Sequence, residues 1–201
     1  QMLDSMVNKP RPTRAEASDV ANAIFDGSDA VMLSGETAIG RFPVEAVKMM
    51  GVIIHQAERH SSEWGRWSGL LPQTNSGDDA LSVGQAAREL AHDRNVAAIA
   101  VFTRTGRTAM LMAKTRPCVP ILAFTPQPDT FQRLNLFWGV TPYLVSHAET
   151  IEAMIHEVER TMISQRSLHS GEQFVLVCGF PVHLTRPANL ALLHTIGALD
   201  Q

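Results

Sequence analysis

No apolar run in this chain approaches the roughly 18 residues that a bilayer-spanning helix needs, and its first residues do not have the form of a secretory signal. A membrane-embedded protein is therefore not expected. An excess of charge is lacking too: Lys and Arg number 17 against 20 Asp and Glu, for a formal net charge of −3. That balance disfavours nucleic acid and anionic membrane surfaces as partners, since both draw basic proteins. Cysteine is scarce, with only Cys118 and Cys178, each within or beside an apolar segment. Two such cysteines read as buried free thiols rather than a disulfide, which fits a reducing compartment and a cytoplasmic location, organelles remaining open. What the chain has in quantity is apolar residues, 45% of 201 positions, enough for a substantial core and for one large domain or up to two small ones.

The most informative stretch is Val96–Thr108, a continuous apolar run that breaks into Thr103-Arg-Thr-Gly-Arg-Thr108 and resumes as Ala109–Thr115. It reads as a strand buried on both faces, a turn, and a helix. The first N–H groups of a helix have no intrahelical acceptor and carry partial positive charge, so an anion is a natural guest there. Gly106 permits positive φ or close approach, Thr103, Thr105 and Thr108 offer hydroxyls, and Arg104 and Arg107 offer charge. These residues define a candidate phosphate pocket. The competing reading is a helix capped by Thr105 or Thr108, with solvated arginines.

Toward the N-terminus, Lys9-Pro-Arg-Pro12 blocks helix continuation, and Thr13-Arg-Ala-Glu16 has the form of a capping box. Ala17, Val20, Ala21 and Ile24 then share a helical face, and Gly27 stands at the C′ position. Ala30–Leu33 reads as a short strand whose C-terminal end delivers Ser34-Gly-Glu-Thr37, and in parallel α/β folds that end is where ligands bind. Ser34 and Glu36 are candidate site residues, with plain turn residues as the alternative. Phe42-Pro43 opens a helix apolar over so wide a face (Val44, Val47 and Ile54; Met50, Ile53 and Ala57) that deep burial is expected.

Residues 61–77 show no period and many breakers, and read as a linker, with Trp64 and Trp67 docking it onto a neighbouring domain. Beyond it, a helix over 78–93 precedes strands at 96–102, 120–124, 140–145, 174–178 and 190–196. Helices at 108–115, 129–138 and 149–165 alternate with the first four strands. Such alternation predicts a mostly parallel five-stranded sheet whose last two strands, joined without a helix, are antiparallel. The loop 179–189 leaves the C-terminal end of the fourth strand and can reach the rim of Thr103–Thr108, which makes His183 and Arg186 further candidates.

With these motifs in place the chain resembles pyruvate kinase. The resemblance is carried by Gln1-Met-Leu-Asp-Ser-Met6, Lys9–Glu16, Ser18–Ala23, Asp29–Thr37 and Phe42–Val47. It continues more loosely at Thr103–Thr108, Arg116-Pro117 and the Gly139 turn. It implies an incomplete (β/α)8 barrel segment over residues 1–60, a linker over 61–77, and the family's C-terminal α/β domain over 78–201. The activity implied is transfer of phosphoryl from phosphoenolpyruvate to ADP, giving pyruvate and ATP, in a glycolytic homotetramer using Mg2+ and K+. The metal carboxylates, the phosphate-facing lysine and an active-site threonine would precede Gln1. The isolated chain is therefore expected to be inactive and to hold no metal. By the same resemblance Ser34, with Glu36 and Thr37 beside it, supports the chemistry, while Arg11 and Arg14 lie at a subunit contact. Ile39 stands where many relatives have lysine. Thr103, Arg104, Thr105, Gly106, Arg107 and Thr108 would grip a phosphate of a sugar-phosphate activator such as fructose 1,6-bisphosphate, with Arg186 across the pocket. Because Leu184–Asn189 lacks the expected glycines, a sugar monophosphate is an alternative effector. The other reading is a non-catalytic sugar-phosphate-binding module that folds from about Asp78.

Overall fold

A computed structural model of the chain describes residues 2–60 and 78–198. The linker expected over 61–77, with Trp64 and Trp67, lies outside the described residues. By its contacts the chain divides into two compact units, Gln1–Leu71 and Pro72–Gln201.

In the first unit a 3₁₀ turn, Asp4–Val7, precedes helices α1 (Arg14–Phe25), α2 (Gly35–Ala38) and α3 (Pro43–Arg59). The capping box forms as the sequence predicts. The Glu16 N–H donates to Thr13 Oγ1, and the Thr13 N–H donates to Glu16 Oε2 at 2.7 Å. Glu16 does more than cap: its carboxylate also accepts from the Ser5 N–H at 2.7 Å and the Ser5 hydroxyl at 2.5 Å, stapling the 3₁₀ turn to α1. Burial alone would raise this carboxyl, but the Ser5 and Thr13 donors outweigh it and hold the pKa at about 2.

Leu3, Met6, Val20, Ala46 and Met50 form the small core of this unit. Two expectations fail here. No strand forms over residues 30–33, because a strand is stabilised by ladder bonds to a neighbour and the described residues of this unit contain no strand. Nor is α3 deeply buried. Met50 and Ala57 are, but Val44, Val47 and Val52 remain more than half exposed, since α1, α2 and the 3₁₀ turn supply cover for one side only.

The second unit is α4 (Asp79–Arg94), β1 (Ala98–Phe102), α5 (Arg107–Lys114), β2 (Ile121–Thr125), α6 (Pro128–Leu134), β3 (Val140–Leu144), α7 (Ile151–Ser164), β4 (Gln173–Cys178) and β5 (Leu190–Thr195). The strand order is β3-β2-β1-β4-β5. The first four strands are mutually parallel and β5 is antiparallel to β4, as expected. Residues of β1, β2 and β4 alternate between two cores. Ile99, Val101, Ile121, Ala123, Val175 and Val177 face α4, α5 and α6, whereas Ala98, Ala100, Leu122, Phe124, Phe174 and Leu176 face α7. The split follows from handedness. Right-handed crossovers from β1 to β2 to β3 put their helices on one face, and the return to β4 on the other side of β1 puts α7 on the opposite face.

Helix α6 stops at Leu134, four residues earlier than expected. The Asn135 side chain turns back to the carbonyls of Phe131 and Gln132, an alternative to continued helix. Of the two cysteines only Cys178 is buried, and its thiol is pushed up to about 11 by burial; Cys118 is exposed in the loop before β2.

Candidate functional site

The connection leaving β1 runs toward β2 on one side and the loop leaving β4 runs toward β5 on the other, so the two diverge and open a crevice at the carboxyl ends of these strands. A cavity of about 230 Å³ occupies this position. It is lined by Phe102–Thr105, Arg107 and Thr108 from the β1 side, by Cys178, Gly179 and Val182–Pro187 from the β4 side, omitting His183, and by Met154 of α7. The two stretches singled out in the sequence, 81 residues apart at Arg104 and Thr185, thus share one pocket. His183 is exposed and is not among the lining residues.

The Thr103–Thr108 turn is built by its own side chains. Thr103 is 5% exposed, and its Oγ1 accepts from the Gly106 N–H at 3.0 Å. Thr130 of α6 donates its hydroxyl to the Arg104 carbonyl at 2.8 Å. Gly106 takes φ +85° and is itself the N-cap of α5, which side chains rarely tolerate. The N-cap position is thus taken by a glycine, which offers no side chain of its own, and Thr105 beside it contributes only a long bond to the first N–H of α5. Arg107 and Thr108, the first residues of α5, line the cavity, and the Arg107 N–H reaches Thr105 Oγ1 at 3.5 Å.

Three arginines border this space, each held differently. Arg104 donates to Thr185 Oγ1 at 2.9 Å and to the His147 ring at 2.9 Å, tying together the segments after β1, β3 and β4. Arg107 pairs with Asp78, the residue before α4, at 2.5 Å. Arg186 donates to the Phe180 carbonyl at 3.0 Å. The loop that carries Arg186 is itself tightly folded. Asn189 accepts from the Phe180 N–H at 2.7 Å and donates to its carbonyl at 2.9 Å, and a Cβ on Gly179 would stand 2.7 Å from the Arg186 carbonyl. His147, Asp78 and Asn189 were not singled out in the sequence. Each lies far along the chain from its partner or in a loop, and only the fold brings it to the pocket.

The other candidate residues belong to the first unit. Glu36 is fully buried; Oε1 accepts from the Leu3 N–H and Oε2 from the Ser34 N–H, each at 2.8 Å. Burial would raise its carboxyl, but backbone N–H donors, those of Leu3 and Ser34 among them, carry it below its usual range. Ser34 is exposed and precedes α2 without a side-chain capping bond, and Arg11 and Arg14 are exposed at the start of α1. Among the described residues no three His, Cys, Asp or Glu side chains gather to hold a metal. Each Glu36 oxygen is engaged by one backbone N–H.

By fold and by the placement of its cavity, the second unit is of the class of open α/β domains that receive a ligand at the carboxyl ends of parallel strands. The description "pyruvate kinase, alpha/beta domain" matches residues 81–194, and "pyruvate kinase, barrel domain" matches residues 1–47. Pyruvate kinase of Corynebacterium efficiens is 39% identical over 98% of this chain and 40% of its own length. Pyruvate kinase 2 of a Synechocystis strain is 48% identical over 89% of this chain and 29% of its own. A crystal structure of a pyruvate kinase from Cryptosporidium parvum superimposes with a TM-score of 0.81 at 35% identity, covering 98% of this chain and 39% of that one. The chain belongs to the pyruvate kinase family, a family of transferases. It spans about 29–41% of the length of the curated relatives it matches.

Proposed function

We propose that this chain is the part of a pyruvate kinase that carries a sugar-phosphate effector pocket, formed by Thr103–Thr108 and the loop around Arg186. In the whole enzyme the reaction is phosphoryl transfer from phosphoenolpyruvate to ADP. The observation that carries the effector reading is the cavity at the carboxyl ends of β1 and β4, where the N-terminus of α5 meets Arg104, Arg107 and Arg186. A helix N-terminus and forked guanidinium groups both favour a phosphate dianion, and the hydroxyls of Thr105, Thr108 and Thr185 suit phosphate or sugar oxygens. The pocket is compact, which favours a sugar monophosphate or one end of a bisphosphate.

Calorimetric titration of the chain with fructose 1,6-bisphosphate and with glucose 6-phosphate tests this. Thr105→Glu places a carboxylate at the anion position and is expected to weaken binding at least tenfold. Equal affinity in the variant and the parent would remove this cavity from the function.

Catalysis of phosphoryl transfer rests on positioning and on neutralising the transferring group, with a divalent metal and cationic side chains. Mg2+ and K+ belong, in this reading, to residues outside the chain. Ser34 lies on the barrel rim beside the chemistry, and Arg11 and Arg14 serve a subunit contact in a homotetramer. The 201-residue chain alone is expected to give no pyruvate from phosphoenolpyruvate and ADP in a coupled assay; turnover that persists through exhaustive purification would overturn that assignment.

A further inference from the structure

The three arginines at the cavity are not equivalent. Arg104 is engaged by a hydroxyl and an imidazole and Arg186 by a carbonyl, and among the described residues neither is ion-paired. Arg107 alone meets a carboxylate. Asp78 Oδ2 lies 2.5 Å from its Nη2, and Oδ1 lies 3.4 Å from Nη1, so the guanidinium fork is engaged on two nitrogens. That carboxylate comes from neither of the loops that line the cavity. Asp78 is the N-cap of α4, and its Oδ1 also accepts from the Ala80 N–H at 3.1 Å.

A guanidinium edge that receives a carboxylate in this way is the edge a phosphate would use. We propose that Asp78 is a built-in counter-ion that competes with an incoming phosphate for Arg107, so that occupancy of the cavity exchanges an internal ion pair for an external one. The inference rests on the reading of the cavity as a sugar-phosphate site and adds its regulation.

The pair is suited to exchange. Half of the Arg107 side chain and about a quarter of Asp78 are exposed, and ion pairs in such settings are weak. A phosphate dianion carries more charge than a carboxylate and also faces the N-terminus of α5, so it wins the guanidinium when present. The hydrogen bond from Arg107, opposed by partial desolvation, holds the Asp78 carboxyl below its usual range, so both partners are charged at neutral pH. When Arg107 turns to the ligand, Asp78 keeps its cap on α4 but loses this cation, and the event at the pocket is felt at the N-cap of the domain's first helix.

Asp78→Asn tests this, because asparagine caps a helix as well as aspartate and removes only the charge. Titrated with fructose 1,6-bisphosphate and glucose 6-phosphate at fixed ionic strength, D78N is expected to bind about 2–5-fold tighter than the parent chain, the factor that loss of an exposed competing pair implies. In an Arg107→Gln background the same substitution is expected to change nothing, since the competition has no object. Circular dichroism and a melting curve establish that each variant is folded. If the parent binds, Thr105→Glu abolishes binding, and D78N binds equally or more weakly, the competition is wrong while the pocket stands. If neither the parent nor D78N binds either ligand, the pocket and the competition fall together. Binding by D78N alone would support both.

Discussion

Replacing Glu36 with alanine is expected to unfold the first unit while leaving the second intact. The Glu36 side chain is fully buried and is the acceptor for the Leu3 and Ser34 N–H groups. A buried donor left without a partner costs about 1–3 kcal/mol; the Leu3 N–H is buried and the Ser34 N–H only partly, so the pair costs about 2–4 kcal/mol. A unit whose core is only Leu3, Met6, Val20, Ala46 and Met50 has little stability to spare. Hydrogen exchange resolved by residue provides the measurement. Protection over residues 2–60 should collapse in E36A, and protection over 78–198 should be unchanged. Glu36→Gln keeps one acceptor oxygen and should fall between.

The pH dependence has a definite sign. The folded-state carboxyl is held below its unfolded value of 4.5, so the unfolded chain binds the proton more readily. The stabilisation from Glu36 is therefore complete above that value and is lost as pH falls through the lowered folded value. E36Q should lack this component of acid sensitivity. Unaltered exchange over residues 2–60 in E36A would show that Leu3 and Ser34 find other acceptors.

The sheet was legible because its signals are local. Runs such as Ala98–Phe102 and Phe174–Cys178 are apolar at every position, and a strand buried on both faces must be. Antiparallel pairing of β5 followed from the absence of a helix between it and β4. The capping box of α1 was equally visible, since Thr13 and Glu16 are three residues apart. Residues 30–33 misled for a physical reason: their apolar character is that of a strand, but pairing is a property of neighbours, and no strand lies among the described residues of that unit. Val44 and Val47 are more than half exposed, because an apolar face records what the sequence is suited to contact, not what this chain supplies.

At the pocket, the glycine and threonines of the turn could be read from the strand-turn-helix pattern. Asp78 could not, because it reaches Arg107 across 29 residues and read only as the start of a helix. His147 has no pattern of its own and becomes visible only once β1 and β3 are placed in one sheet.

Glu159→Ala is expected to loosen the pocket from a distance. Glu159 projects from α7 and is 5% exposed; its Oε1 accepts from His194 Nε2 at 2.9 Å and from the Gly197 N–H at 2.8 Å. A carboxylate only accepts, so the hydrogen bond places the His194 proton on Nε2. The ring also packs edge-on against Phe174 of β4. Through these bonds α7 fixes the turn at Gly197 and the end of β5, the edge strand of the sheet. Without the carboxylate, one buried and one partly buried donor are stranded, a cost of roughly 2–4 kcal/mol. Urea denaturation should show a midpoint lowered accordingly, with Glu159→Gln recovering much of the difference because its amide oxygen still accepts.

The functional consequence follows from connectivity. The loop 179–189 is held between Cys178 of β4 and Leu190 of β5, whose register pairs those two residues, so fraying of β5 frees the loop that carries Thr185 and Arg186. E159A is therefore expected to weaken sugar-phosphate binding several-fold even where the protein remains folded, although Glu159 does not line the cavity. Undiminished binding together with a lowered denaturation midpoint would mean that Asn189 and its two bonds to Phe180 hold the loop without help from β5.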